Sequence, residues 1–130
     1  MSITIYFDAA CKPNNPGELG LGWVINGDEY CEYGGLGSNN VGEYMALIRS
    51  LECLHKNYDI HQPVTIYGDS KLVVERVNGR WKVKKPHLRP LCDRAKALLK
   101  RLDYSLKWIP REQNTQADRM SNEAYKVKTK

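Results

Sequence analysis

Four carboxylates, Asp8, Glu43, Asp69 and Asp118, are the residues of this chain whose type and placement could do chemistry. Asp8 and Asp69 each follow a short run of β-branched and aromatic residues, so they fall at the ends of expected strands. Glu43 lies in the first turn of an expected helix, and Asp118 near the start of the last one. In an open sheet with helical crossovers, sites form beyond the carboxyl ends of the strands. Asp8 and Asp69 meet there if the first and fourth strands are neighbours, and Asp118 can reach the same edge. Carboxylates crowded together repel one another and rise in pKa unless a cation joins them. Their hard oxygens suit Mg2+ or Mn2+ rather than zinc. Two such ions about 3.5–4 Å apart can activate a water and stabilise the leaving oxygen of a phosphodiester. Asp8, on the strand expected at the centre, is the candidate to bridge them. Taken singly, each acid also has a structural reading, because acids are favoured at helix starts and common after strands. Spacing alone does not show that the four converge.

The elements that must position these acids follow from periodicity. Residues 3–7 alternate as a strand, and 11–17, with two prolines, two asparagines and a glycine, read as a loop. Residues 19–25 form a second strand, Asn26-Gly27-Asp28 a hairpin turn, and 29–35 the returning strand. The period then changes. Tyr44, Leu47, Ile48, Leu51 and Leu54 recur three and four apart, which predicts an amphipathic helix over 40–57. Ser38, Asn39 and Asn40 stand before it as N-cap candidates. Residues 64–67 read as a buried strand, and 70–77 as a short helix closed by Asn78-Gly79. Leu88, Leu91, Ala95, Leu98, Leu99 and Leu102 make a further helical stripe. Residues 105–109 form a last strand stopped by Pro110, and 114–127 a last helix. The order β-β-β-α-β-α-α-β-α predicts an α/β fold with a mixed sheet flanked by helices.

The 130 residues, 42% hydrophobic and 27% charged, suit one globular domain over 1–130. No apolar run nears the ~20 residues of a membrane span, and no basic-then-apolar leader opens the chain. A cytoplasmic protein with no membrane partner is expected. Cys11, Cys31, Cys53 and Cys92 show neither C-x-x-C nor Cys/His zinc spacing and read as reduced thiols. The initial Met1 and lysine-rich end read as a free-standing protein rather than a piece of a polymerase polyprotein. A net charge of +5 favours a polyanionic partner. From 71 to 101 the many Lys and Arg residues are opposed only by Glu75 and Asp93. Part of that run is a solvated helix face. Arg80-Trp81-Lys82-Val83-Lys84-Lys85 differs, because it falls in an expected loop, mixes cations with an aromatic, and suits a phosphate backbone.

Four segments carry a resemblance: Ile5-Tyr6-Phe7-Asp8-Ala9-Ala10, Ser38-Asn39-Asn40-Val41-Gly42-Glu43-Tyr44, Tyr67-Gly68-Asp69-Ser70 and Asn114-Thr115-Gln116-Ala117-Asp118. They resemble the four motifs of the type 1 ribonuclease H family, in the family's order and over essentially the whole chain. The resemblance implies a five-stranded mixed sheet, three antiparallel strands followed by two parallel ones. It implies endonucleolytic hydrolysis of the RNA strand of an RNA/DNA hybrid with two Mg2+ (or Mn2+) ions per site. The products would carry 5′-phosphate and 3′-hydroxyl ends, and no small-molecule cofactor is needed. A monomer is expected. By motif position Asp8, Glu43, Asp69 and Asp118 match the catalytic metal ligands, with Glu43 also near the ribose 2′-hydroxyl. Asn15, Ser38, Asn39 and Asn40 match positions that touch the minor groove and backbone. A-like helices display the 2′-hydroxyl in a wide minor groove, which is where RNA is told from DNA. Ser38 and Asn39 also fit a plain helix cap, and the two roles are compatible.

The chain departs from the best-known bacterial pattern in two places. Bacterial members often carry a Gly-His loop before the last helix, whereas 109–114 is short and has no histidine. His55, His61 and His87 lie elsewhere and are expected at the surface. Either Arg111 or Glu112 partly substitutes, or the enzyme works without this group. The basic handle is also missing, since only 78–90 fills its place. Trp81, Lys82, Lys84 and Lys85 remain candidates to grip the DNA strand, with Trp81 either stacking on a base or anchoring the loop. Two other readings stand beside the hybrid-specific nuclease. One is another nuclease of this fold acting on DNA or structured RNA, against which Asn39-Asn40 and Asp8-Ala9-Ala10 argue. The other is a non-catalytic nucleic-acid-binding domain, but a binder of polyanions gains nothing from clustered negative charge.

Overall fold

The computed structural model describes residues 2–128. Strands β1 (Ile3–Lys12), β2 (Gly17–Ile25) and β3 (Asp28–Gly37) form an antiparallel meander. Strand β4 (Val64–Gly68) runs parallel to β1, and β5 (Tyr104–Trp108) runs parallel to β4. The result is the expected mixed sheet of five strands, ordered β3-β2-β1-β4-β5 with β1 central. The helices are α1 (Asn39–Asn57), α2 (Lys71–Val77), α3 (Arg89–Leu99) and α4 (Thr115–Val127). Among the described residues, no helix is long and apolar enough to cross a membrane.

The two faces of the sheet are built differently. Ile3, Ile5 and Phe7 of β1, Leu21 of β2 and Ile66 of β4 are buried with Tyr44, Leu47, Leu51 and Leu54 of α1 in one core. Fully burying side chains of this size contributes about 1.5–3 kcal/mol each. Helix α3 joins the same layer through Cys92, Ala95, Leu98 and Leu99, with Leu88 just before its start. On the other face α4 lies across β2, β1 and β3. Gly20 and Gly22 admit it there, because a Cβ at either position would run into the backbone of Ser121. Both turn residues Asn26 and Gly27 have positive φ, 48° and 87°, the geometry a tight hairpin with native twist requires.

Several boundaries differ from the sequence expectation, each for a long-range reason. The first strand does not stop at Asp8. It continues to Lys12 because β2 keeps pairing with it, from Asp8↔Gly22 to Lys12↔Glu18. The loop expected over 11–17 shrinks accordingly. Strand β3 runs past the expected end at Gly35 to Gly37, a residue of poor strand propensity held by pairing with Gly17 of β2. The stripe of 88–102 is not one helix. Pro86 opens a separate 3-10 turn over Pro86–Leu88, α3 begins at Arg89, and Leu102 packs on the core from beyond its end.

Candidate active site

The parallel pairing of β1 with β4 ends at Phe7↔Gly68. Beyond it β1 continues with a neighbour on one side only, which leaves a notch in the sheet at Asp8. Asp69 follows the last residue of β4 and so stands at the rim of that notch. Glu43 enters from α1, where Gly42 packs against Ala9 and Leu19 and brings the helix down onto β1. A Ser38 hydroxyl accepting from the Val41 amide at 3.2 Å fixes the start of that helix. Asp8 sits opposite Gly22 in the β1–β2 ladder. Side chains directly opposite in such a pair share a face, and Gly22 is where the α4 backbone at Ala117 and Ser121 touches the sheet. Asp118, between those two residues, is thereby delivered to Asp8.

The structure therefore brings three of the expected acids into one cluster and sets the fourth against it. Asp8, Glu43 and Asp69 each place one carboxylate oxygen within 4.8 Å of the others. Asp118 stands outside this triplet but acts on Asp8 by charge and by a shared hydrogen bond, and on Asp69 by charge. Asp8 and Asp69 each interact with all the other members, and Asp8, on the central strand, is the more buried of the two. Burial, then the charge of Asp69, pushes the Asp8 carboxyl up to about 8. The Ala9 amide donating to Asp8 Oδ1 at 2.9 Å offsets part of this. Glu43, only 4% exposed, is raised well above the ordinary range by burial and by the charges of Asp8 and Asp69. Asp69 is raised less, by burial, because the Asn114 amide and the Arg111 charge oppose the shift. Acids so crowded and desolvated carry uncompensated negative charge, and an all-oxygen donor set of this kind fits a hard divalent cation.

Asp8, Glu43 and Asp69 line a cleft of about 250 Å³ together with Ala9, Asn39, Ser70 and Arg111. Of the two candidates for the missing histidine, Arg111 lies in the cleft, and its charge lowers both Glu43 and Asp69. Glu112 is exposed and is not among the cleft-lining residues. His61 and His87 are exposed as expected, but His55 is half-buried, with a ring nitrogen 3.2 Å from the Leu98 carbonyl oxygen. At the lip, the Asn39 amide donates to Asn15 Oδ1 at 2.9 Å, which ties the 13–16 loop to the start of α1. Asn40 occupies the first turn beside it, outside the cleft lining.

The basic loop forms a separate region. Trp81, Lys82 and Lys84 line an open groove of about 620 Å³ with Arg89, Cys92, Asp93 and Lys96. Trp81 is 44% exposed, which removes the reading of a buried anchor. Lys85 precedes the 3-10 turn and does not line the groove, and Arg80 is paired with Glu75 at 2.5 Å. Two residues near the acids escaped the sequence reading. Trp108 donates its indole N–H to the Asp69 carbonyl at 3.0 Å, with Lys71 lying over its ring. Asn114 donates to both Phe7 O and Asp69 Oδ2 at 2.9 Å. Asn114 opens the motif segment that carries Asp118, but in the sequence it has no role of its own and reads as an ordinary helix start.

A sheet notch ringed by acids, with a separate basic groove, offers a donor set that fits a hard divalent cation. A family model described as reverse transcriptase-like matches residues 6–124. The bifunctional protein Rv2228c of Mycobacterium tuberculosis is 38% identical over 95% of this chain, which spans 35% of that protein. Ribonuclease HI of Halobacterium salinarum is 38% identical over 94% of this chain, which spans 63% of it. The crystal structure of ribonuclease H1 from that archaeon aligns over 98% of this chain and 99% of its own, with a TM-score of 0.85 and 34% identity. LC11-RNase H1, solved in complex with an RNA/DNA hybrid, aligns over 98% and 99% with a TM-score of 0.86 and 33% identity. The chain belongs to the type 1 ribonuclease H family.

Proposed function

We propose that this chain is a single ribonuclease H-like catalytic domain that hydrolyses the RNA strand of RNA/DNA hybrids, leaving 5′-phosphate and 3′-hydroxyl ends. The observation that carries this reading is the convergence of Asp8, Glu43 and Asp69 within 4.8 Å, in a chain whose family includes a relative bound to such a hybrid. Asp8, Glu43, Asp69 and Asp118 would hold two Mg2+ (or Mn2+) ions, with Asp8 shared between them because it lies on the central strand and interacts with Asp69, Glu43 and Asp118. Ions bound there would supply water activation and charge neutralisation at the leaving oxygen.

The remaining roles belong to the chain's own groups. Glu43, at the α1 side of the cleft, is placed to meet a ribose 2′-hydroxyl. Asn39 in the cleft and Asn15, Ser38 and Asn40 at its lip present short polar groups to a wide minor groove. These can read a 2′-hydroxyl without demanding one sequence. Arg111 supplies positive charge beside the acids and takes the place of the loop histidine. Trp81, Lys82 and Lys84 hold the DNA strand by stacking and phosphate contact, with Lys85 at the margin. The protein would act in the cytoplasm and as a monomer, since one chain carries the whole set of acids and no second copy is needed to complete the site. A labelled hybrid incubated with Mg2+, with Mn2+ and with chelator tests substrate and metal together. Cleavage of the RNA strand in either metal and none in chelator is expected. Equal cutting of duplex DNA would overturn the substrate assignment, and cutting in chelator the metal assignment.

A further inference from the structure

Asn114 precedes α4 in the N-cap position, yet its side chain makes no capping bond to that helix. Instead the amide turns away from α4 and crosses to the sheet. Its Nδ2 donates to Phe7 O of β1 and to Asp69 Oδ2 beyond β4, both at 2.9 Å. Its backbone carbonyl accepts from the Asp118 amide at 3.0 Å, and its own amide donates to the Arg111 carbonyl at 2.9 Å. The residue is 1% exposed, and its Oδ1 has no protein partner. A buried unpaired acceptor is costly, so the donor side of the amide has been placed at the expense of the acceptor side. Both neighbours accept, so only an NH2 group satisfies the position.

We propose that Asn114 is the positioning residue of the acidic cluster, setting Asp69 and Asp118 against Asp8 before a metal arrives. One side chain spans three elements. It fixes one oxygen of Asp69 and leaves the other for an ion, and it ties that carboxylate to the residue preceding Asp8. The backbone of the same residue sets the first turn of α4, on which Asp118 stands. Hydrogen-bond partners behind metal ligands typically change metal affinity or activity by 10–100-fold.

The proposal rests on the metal-site reading above, and calorimetric titration of Mg2+ into the protein without nucleic acid tests it apart from cleavage. Asn114→Ala is expected to weaken Mg2+ binding by about tenfold or more. The Mg2+ concentration for half-maximal hybrid cleavage should rise in parallel, while KM for the hybrid stays within about twofold. Asn114→Asp separates positioning from capping. Aspartate starts helices as well as asparagine does, so a residue needed only for α4 tolerates it. A carboxylate facing the Phe7 carbonyl and Asp69 offers acceptors alone, so this variant should fall to the level of alanine or below in cleavage. If Asn114→Ala does not fold, Asn114→Ser, whose single hydroxyl proton cannot serve both acceptors, is measured in the same way. Wild-type Mg2+ affinity in a folded Ala or Ser variant, or wild-type kcat and affinity in Asn114→Asp, overturns the proposal. A wild-type protein that binds Mg2+ but leaves hybrids uncut overturns the functional reading and not this one.

Discussion

The acidic cleft and the basic groove do opposite work with opposite architecture. Asp8 and Glu43 are each 4% exposed, held on a central strand and on a helix that packs against it. Trp81, Lys82 and Lys84 are exposed and project from the connection between α2 and α3. The difference fits what each is proposed to hold. Metal-assisted chemistry depends on ligand placement to within fractions of an ångström, which needs rigid elements and desolvation. A phosphate backbone is long, uniform and charged, so solvated cations on a loop recognise it well enough. Burial and mutual repulsion raise the cleft's acids above their ordinary range, whereas the groove's charges are relaxed in water.

The contrast can be broken most severely at Asp69. Asp69→Asn should remove several kcal/mol of transition-state stabilisation, a loss in kcat of at least about 10²–10³-fold at ~1.36 kcal/mol per decade. Hybrid binding should persist. Near-wild-type turnover in Mg2+ would take Asp69 out of the site.

The crowding in the cleft has a pH signature. Asp8 titrates near 8 in the folded chain against 3.8 as its ordinary value. A raised folded pKa stabilises fully below the unfolded value, and that contribution is lost as pH rises through the folded one. Without divalent ion, wild-type stability should therefore fall between pH 4 and pH 8, and Asp8→Asn should make that fall markedly smaller, the remainder belonging to Glu43 and Asp69. The expected advantage of Asp8→Asn at pH 8 is about 2 kcal/mol or more, read by thermal or denaturant melts. Saturating Mg2+ should reverse the order, because only the wild type gains by binding. Parallel melts of the two proteins across this range would remove the crowding argument.

Arg111 tests whether the cleft's one cation serves chemistry or merely offsets charge. Arg111→Ala should lower kcat by one or two orders of magnitude. It should also lower the Mg2+ concentration for half-saturation, since a competing positive charge is gone. Glu112→Ala should stay within about twofold on both counts. A larger effect of Glu112 than of Arg111 would reverse their assignment.

The groove should respond on a different axis. Replacing Lys82, Lys84 and Lys85 by alanine should weaken hybrid binding while leaving kcat at saturation unchanged. The slope of log affinity against log salt should drop by about two, one for each groove-lining lysine. A drop of three would bring Lys85 into the contact, and no change would assign the loop to solvent.

The two regions were also unequally legible in the sequence. Strand and helix periods placed the nine main elements in the right order, because those signals lie within a few residues of one another. The basic loop was equally local. The acids could be named but not assembled, and Asp8 was expected at a strand end when it lies inside a ten-residue strand. What extends β1 is pairing with β2, and what opens the notch is the earlier end of β4. Neither is written in the residues around Asp8. Asn114 was hidden for a related reason. Its type and position fit a cap, and only its reach to Phe7 and Asp69, 107 and 45 residues away in the chain, shows another use.

By itself, then, the sequence determined which elements form, in what order, and which four acids are available for chemistry. The tertiary structure decided that three of them meet within 4.8 Å, that Asp118 joins through Asp8, and that Arg111 rather than Glu112 faces them. The division follows the range of the forces. Periodicity, turn chemistry and caps act over a few residues. Convergence depends on ladder register and on close approaches such as α4 at Gly22, which couple residues far apart in the chain.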